Sequence, residues 1–324
     1  MSGTVVVTSR SFSTGTVDLV ARLESAGLAV VRAPATHDLE ALRPVLADAV
    51  AWIAGTGPVS ATHLAAAPAL RVVARYGTGV DAVDLPAAAT AGVVVTNTPG
   101  ANSEAVAEHA IALLFALLRG VPDGDRRVRR GDWSVSRGRQ LAGSIAGVVG
   151  LGRIGRGTTQ RLIALGCEVL AHDPYASDQH VLATGAKPAT LEQLRTTAQV
   201  VSLHAPGGST VVDGAWLSAC PADQVVVNTA RADLVDEAAV ARALREGRLA
   251  GFAADTLAAE AGADSASPLL ADDLADRVLI TPHLGAQTRE AVDTMGSMAV
   301  DDVLAVLAGR PPAHPVVPFP GGRA

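Results

Sequence analysis

Ile145-Ala146-Gly147-Val148-Val149-Gly150-Leu151-Gly152-Arg153-Ile154-Gly155 is an apolar run that ends in a glycine-rich turn and opens a helical pattern. The run reads as a buried strand. Gly150 permits the tight turn, Gly152 lets the backbone approach a pyrophosphate, and Gly155 lets helix and strand pack closely. The phosphates of a dinucleotide would then meet exposed N–H groups around Arg153 and Ile154, at the helix N-terminus. Three glycines are weak support in a chain that has 32. The context strengthens them, because a second apolar segment at 168–172 ends in Asp173. An acid there accepts hydrogen bonds from both ribose hydroxyls and repels a 2′-phosphate, which favours NAD over NADP. The alternative is a glycine-rich turn in another α/β fold, with Asp173 capping a strand.

Further strands are expected at 200–204, 225–228, 249–253 and 278–281, with helices at 154–165 and 237–246. Upstream lies another alternating series, with strands at 4–8, 28–31, 50–54, 72–75 and 93–96 and helices at 17–26, 39–46 and 60–66. Strands alternating with helices imply α/β architecture with parallel sheets. A helix over 102–119 reads as a boundary element, and a last helix over 289–307 ends before a Pro-rich tail.

The 324 residues suffice for two domains, and 49% are hydrophobic although only 3% are aromatic. Small aliphatic side chains suit helices packed on parallel sheets. The net charge of −6 and the lack of a Lys/Arg block speak against nucleic acid as a partner. The densest basic stretch, Arg126 to Arg130, reads as a solvated helix face. Cys167 and Cys220 are too far apart for a disulfide framework or a metal knuckle, so a reducing, cytoplasmic setting and no metal are expected. The N-terminus lacks the pattern of an export signal, and the strongly apolar stretch at 110–118 is too short to span a membrane.

Three segments near strand ends carry groups suited to reducing a 2-keto acid. That reaction needs a cation for the carboxylate and carbonyl, a general acid, and a group that keeps the acid protonated. Asn228-Thr229-Ala230-Arg231 ends a strand in a guanidinium able to grip a carboxylate bidentately. Asp255 and Glu260 follow the next strand, and Thr281-Pro282-His283-Leu284-Gly285 follows the last. Each has a plainer alternative: Arg231 paired with Asp233, Glu260 solvated, His283 capping a turn. His109 is a rival acid–base group, but adjacent Glu108 points elsewhere on a helix, so a surface or interface role is expected for it. His204, before Ala205 and Pro206, is expected to line the cofactor cleft without doing chemistry.

In their order and combination, these motifs resemble the D-isomer-specific 2-hydroxyacid dehydrogenases, in particular the phosphoglycerate-dehydrogenase-like branch. The resemblance rests also on Arg75-Tyr76-Gly77-Thr78-Gly79-Val80-Asp81, Asn97-Thr98-Pro99-Gly100, Ala107-Glu108-His109 and Leu203-His204-Ala205-Pro206. It implies two Rossmann-like or flavodoxin-like domains, with an NAD domain at 99–289 inserted into a substrate domain made of 1–98 and 290–324. It implies catalysis by Arg231, Glu260 and His283, with Glu260 holding the imidazolium. The cofactor would meet Gly150, Gly152, Arg153, Ile154, Gly155, Asp173, His204, Ala205, Pro206, Thr229, Ala230, Asp255, His283 and Gly285, with Asp255 on the nicotinamide amide. Substrate would meet Tyr76, Thr78, Gly79, Val80, Arg231 and His283, the backbone N–H groups around Thr78 receiving the carboxylate. It further implies a homodimer, with the arm around Trp133 near the partner.

Departures accompany the resemblance. Thr256-Leu257 and Ala261 stand where the family commonly has Val-Phe and proline. Ala54-Gly55-Thr56-Gly57-Pro58 lacks the arginine that helps phosphoglycerate enzymes hold the substrate phosphate. No regulatory domain is expected after Pro312. Some relatives are nucleotide-sensing binding proteins of the corepressor type, which is the alternative to an enzyme.

Overall fold

The computed structural model describes residues 3–258 and 266–317. The chain divides into two compact units, Met1–Asn102 with Ala286–Ala324, and Ser103–Gly285.

In the first unit, β1 (Gly3–Val7), α1 (Leu19–Ser25), β2 (Leu28–Arg32), α2 (Leu39–Leu46), β3 (Ala49–Ala54), α3 (Ala61–Ala65), β4 (Val72–Arg75), α4 (Leu85–Thr90) and β5 (Val94–Thr96) alternate along the chain. The Val-rich strands are buried because helices cover the sheet, as parallel pairing requires. Asp18, Asp38 and Asp84 start α1, α2 and α4, each carboxylate accepting a first-turn N–H.

The second unit holds α5 (Ser103–Arg119), α6 (Val121–Arg129), β6 (Ile145–Val149), α7 (Arg153–Ala164), β7 (Glu168–His172), α8 (Asp178–Ala183), β8 (Lys187–Pro188), α9 (Leu191–Thr197), β9 (Val200–Leu203), α10 (Gly214–Ala219), β10 (Val225–Asn228), α11 (Glu237–Arg245), β11 (Gly251–Ala254) and β12 (Val278–Ile280). The chain then returns to the first unit with α12 (Arg289–Leu307) and β13 (Pro315–Val317).

The first sheet runs β13-β5-β4-β3-β1-β2, parallel except for β13, which pairs antiparallel with β5. The second runs β12-β11-β10-β9-β6-β7-β8, parallel throughout. The chain proceeds outward from β6 to β7 and β8, then reverses to β9 on the other side of β6. The crevice between β6 and β9 is therefore the topological switch point, where open α/β sheets bind ligands. The core of this unit gathers Val149, Leu203, Trp216, Val226, Leu244 and Phe252.

Several expected element boundaries shift by one or two residues. The strand expected from 249 begins at Gly251, because the N–H groups of Arg248 and Leu249 still bond to Ala243 O at the end of α11. Strands β8 and β13 span two and three residues, too few for an alternation to register. The arginines of α6 do form a solvated face, with Arg127 on Asp123 at 2.9 Å and Arg129 on Asp125 at 2.8 Å. No single helix among the described residues is long and apolar enough to cross a membrane.

Candidate functional site

The glycine turn has the geometry its residues imply. Gly150 has φ +91°, and a Cβ there would lie 2.7 Å from His204 C, against the neighbouring strand end. A Cβ on Gly155 would lie 1.9 Å from Gly150 O, so only glycine lets α7 start so close to β6. A Cβ on Gly152 would meet nothing within 4 Å, which leaves the outer side of the turn open. Gly152 is the N-cap of α7 and provides no side-chain cap, so the first-turn N–H groups, those of Arg153, Ile154 and Gly155, are presented to a ligand.

Asp173 directly follows β7 beside this turn. Its Oδ2 accepts from Leu151 N–H at 2.7 Å and its Oδ1 from Tyr175 N–H at 2.9 Å. A carboxylate oxygen has two acceptor positions, so one on each remains for a ribose hydroxyl. His204 directly follows β9, with Nε2 paired to Ser202 Oγ at 2.9 Å. Burial pushes its pKa down to about 4, so the ring is neutral and supports the turn, with Ala205 and Pro206 following it. Thr229 Oγ1 is buried without a protein partner, at the end of β10. An open glycine turn, presented N–H groups, an acid on the next strand and a spare hydroxyl together fit a bound dinucleotide.

Arg231 is placed by a local device that the sequence motif contains but does not announce. The Asn228 side chain, buried at the end of β10, accepts from Ala230 N–H at 3.0 Å and donates to Arg231 O at 2.8 Å. The Arg231 guanidinium donates to Ala230 O at 2.9 Å. Asp233, weighed as a surface partner for Arg231, accepts from Gly208 N–H at 2.6 Å and so fastens the loop that follows Pro206.

Asp255 carries hydrogen bonds that the resemblance did not imply. It is buried, and its carboxylate accepts from Thr281 Oγ1 at 2.5 Å, Leu284 N–H at 2.8 Å and Gly285 N–H at 2.8 Å. His109 Nε2 approaches the same carboxylate at 3.2 Å. Burial pushes the Asp255 carboxyl up, but the hydrogen bonds from His109, Thr281, Gly285 and Leu284 outweigh it and hold it below the usual carboxylate range. These donors match the roughly four acceptor positions of a carboxylate. A nicotinamide amide must share or displace one of them.

His283 sits on the loop this carboxylate organises. Its φ of +56° is left-handed, which costs a residue with a Cβ about 1–2 kcal/mol. Its N–H bonds to Asp255 O at 3.1 Å and Thr281 O at 3.0 Å, which holds the ring's anchor in that conformation. Glu260 lies outside the described residues. Glu237, which the sequence reading passed over, accepts from Ala258 N–H at 2.8 Å and Ser267 Oγ at 2.5 Å. His109 too was underestimated: it is half-buried rather than on a free surface, while Glu108 goes to Arg161 at 3.0 Å.

The substrate residues expected in the first unit divide. Tyr76 is buried, its hydroxyl donates to Val292 O at 2.9 Å, and burial raises its pKa to about 12. Its N–H bonds to Ala54 O and its carbonyl accepts from Arg75 Nη1, so Tyr76 is packed into the core of its unit. Thr78, Gly79 and Val80 follow on a loop held by Asn97 Nδ2, which donates to Thr78 O at 2.7 Å. Among the described residues no acceptor pairs with the N–H groups of these three, which leaves a cradle suited to an anion.

The second unit is thus a dinucleotide-binding domain, with a cation and an imidazole carried on loops at the same sheet edge. The family model for the D-isomer specific 2-hydroxyacid dehydrogenase NAD binding domain matches residues 111–285. The chain belongs to the D-isomer specific 2-hydroxyacid dehydrogenase family. It is 41% identical over 257 residues to the D-3-phosphoglycerate dehydrogenase of Mycobacterium tuberculosis (strain ATCC 25618 / H37Rv), covering 78% of this chain and 48% of the relative. It thus spans about half the length of the curated relatives it matches. Among solved structures, the TT0316 protein of Thermus thermophilus superposes with TM-score 0.86 at 34% identity, covering 97% of this chain and all of that one. An NADPH-dependent glyoxylate/hydroxypyruvate reductase of Sinorhizobium meliloti reaches 0.83 at 27% identity, covering 99% and 100%.

Proposed function

We propose that the protein is an NAD-dependent dehydrogenase interconverting a small D-2-hydroxy acid and its 2-keto acid. What carries this reading is one sheet edge. The parallel strands put the ends of β6, β9, β10, β11 and β12 side by side, and these ends bear the glycine turn, His204, Arg231, Asp255 and the His283 loop.

Bound NADH supplies the hydride. Arg231 grips the substrate carboxylate and polarises the carbonyl, while the N–H groups of Thr78, Gly79 and Val80 receive the same carboxylate at its remaining acceptor positions. His283 donates a proton to the developing alkoxide, and in the reverse direction accepts it. Glu260 favours the protonated ring, as a nearby carboxylate does. Replacing it with glutamine should therefore make reduction fall away at a lower pH than in the parent. The unit Met1–Asn102 with Ala286–Ala324 serves the substrate and Ser103–Gly285 the nucleotide, four residues from the junctions expected at 98/99 and 289/290. Asp173 gives NAD precedence over NADP. The lack of a cation between Ala54 and Pro58 favours a keto acid without a phosphate. A homodimer is supported by Trp133 and Val135, exposed at 77% and 95% on the arm that follows α6.

NADH oxidation across glyoxylate, pyruvate, hydroxypyruvate and 3-phosphohydroxypyruvate tests the reading. Turnover of any of them is expected, least with the phosphorylated acid. Tight NADH binding without turnover of any would overturn it in favour of a nucleotide-sensing binding protein.

A further inference from the structure

We infer that His109 is a positioning residue for His283, acting through the Asp255 carboxylate and the Thr281 hydroxyl. The inference deepens the proposed function and rests on the acid–base role given there to His283.

A carboxylate held below its usual pKa range is ionised and only accepts. His109 Nε2, 3.2 Å from Asp255 Oδ1, must therefore carry the hydrogen. The same nitrogen lies 2.9 Å from Thr281 Oγ1, and that hydroxyl spends its own hydrogen on Asp255 Oδ1 at 2.5 Å. The donor directions are fixed in one sense: the imidazole into both oxygens, the hydroxyl into the carboxylate. Asp255 in turn binds the loop at successive points, its carbonyl accepting from His283 N–H and its carboxylate from Leu284 and Gly285 N–H.

The loop is fitted to this arrangement. A Cβ on Gly285 would lie 3.0 Å from Asp255 Oδ2, 3.4 Å from Val106 Cγ2 and 3.7 Å from His109 Cδ2, so the glycine lets the loop settle against the carboxylate and α5. α5 is a rigid support, because Val106, Ala107, Ala110, Leu113 and Leu114 bury the face on either side of His109. His109 thus links a helix in the core to a strained turn that carries the proposed acid. Nothing in this chain of contacts requires His109 to touch substrate or cofactor.

The test uses the full chain with three substitutions, two readouts and hydroxypyruvate plus NADH as the probe. His109→Leu removes the donor and keeps the packing volume. His109→Gln returns an N–H donor at comparable reach. Thr281→Val removes the hydroxyl with little change of shape. His109→Leu should lower kcat about 10²-fold, the scale of an ångström-sized misplacement. The hydroxypyruvate KM and the NADH Kd should stay within about threefold. In the protein without nucleotide, amide hydrogen exchange should accelerate over residues 281–285. His109→Gln should recover most of both effects, and Thr281→Val should reproduce them in part.

Parental kcat and unchanged protection in His109→Leu would overturn the inference. So would equal losses in His109→Leu and His109→Gln, which would mean packing alone. Should His109→Leu not fold, Thr281→Val is read by the same two measurements, and parental values there overturn it. His283→Ala run alongside separates the two readings: a parental rate in that variant sinks the acid–base assignment, whereas a dead His283→Ala beside a parental His109→Leu sinks only the positioning role. If hydroxypyruvate is not turned over by the parent, exchange over 281–285 decides.

Discussion

His37 in the first unit and His283 in the second share an unusual backbone, each with φ +56°. Their surroundings are opposite. His37 is 2% exposed, its ring centroid is 5.0 Å from that of Trp52, and its Nδ1 donates to Pro58 O at 3.0 Å. His63 fastens the same turn from outside, Nε2 donating to His37 O at 2.8 Å. The buried His37 Nε2 has no partner, and burial pushes its pKa down to about 4. His283 is half-buried at a strand end, on a loop tied to an ionised carboxylate. A strained histidine is therefore not in itself a sign of chemistry. Access and a nearby charge distinguish the ring proposed to react from the one that fills a core.

The sharpest way to break this contrast is to remove both rings. His283→Ala should slow keto-acid reduction by about 10²–10⁴-fold, the range for a positioned acid–base group. His37→Asn, which tolerates the left-handed backbone, should leave kcat near the parent's. Comparable losses in steady-state assays of the two variants would abolish the distinction.

The next effect is thermodynamic. His37 has a folded pKa below its unfolded value near 6.5, so the unfolded chain takes up the proton first as pH falls. The neutral ring's contribution is complete above pH 6.5 and is lost as pH drops toward about 4. On the scale of 1.36 kcal/mol per unit this amounts to about 3 kcal/mol. Denaturant titrations from pH 7 to 4 should show a flatter acid limb in His37→Asn. An unchanged limb would mean that the buried ring is charged after all, or that His204 and other groups carry the whole slope.

Smaller effects sharpen the assignment within the second unit. Arg231→Lys keeps the charge and loses the fork, so kcat/KM should fall about tenfold, the cost of roughly one charge-assisted hydrogen bond, while NADH fluorescence titrations barely move. A fall in NADH affinity alone would place Arg231 with the nucleotide instead. Smallest is the cofactor preference. Asp173→Ala should narrow the NAD-to-NADP ratio of kcat/KM by a few fold, about 1 kcal/mol on the scale of a single hydrogen bond. Equal use of both cofactors by the parent would remove the role of Asp173 altogether.

The glycine turn was legible because its requirements are local: the residues that make the turn are consecutive, and the clash a side chain would cause is with the turn's own carbonyl or the adjacent strand end. The parallel α/β class was legible because strands alternate with helices along the chain, whereas the order of strands around β6 comes only from the assembled sheet. The role of His109 was not legible either, because its partners Asp255 and Thr281 are brought to it only by the assembled sheet. The packing of Tyr76 was hidden for the same reason, since the acceptor of its hydroxyl is on α12. The Asn228 bracket was within reach, as all its contacts lie inside Asn228-Thr229-Ala230-Arg231.

The antiparallel addition of β13 to β5, with α12 packed in the same unit, sets an order of events during synthesis. A ribosome working from the N-terminus releases the whole of Ser103–Gly285 before α12 and β13 exist. The inserted unit can thus close first, while β5 still offers an unpaired edge and the groups that will meet α12 are bare. Tyr76 has no carbonyl for its hydroxyl until Val292 has been made. Of the two units, the one that starts earlier in the chain is the last that can be completed, and its strands stay open to non-native pairing until α12 and β13 arrive.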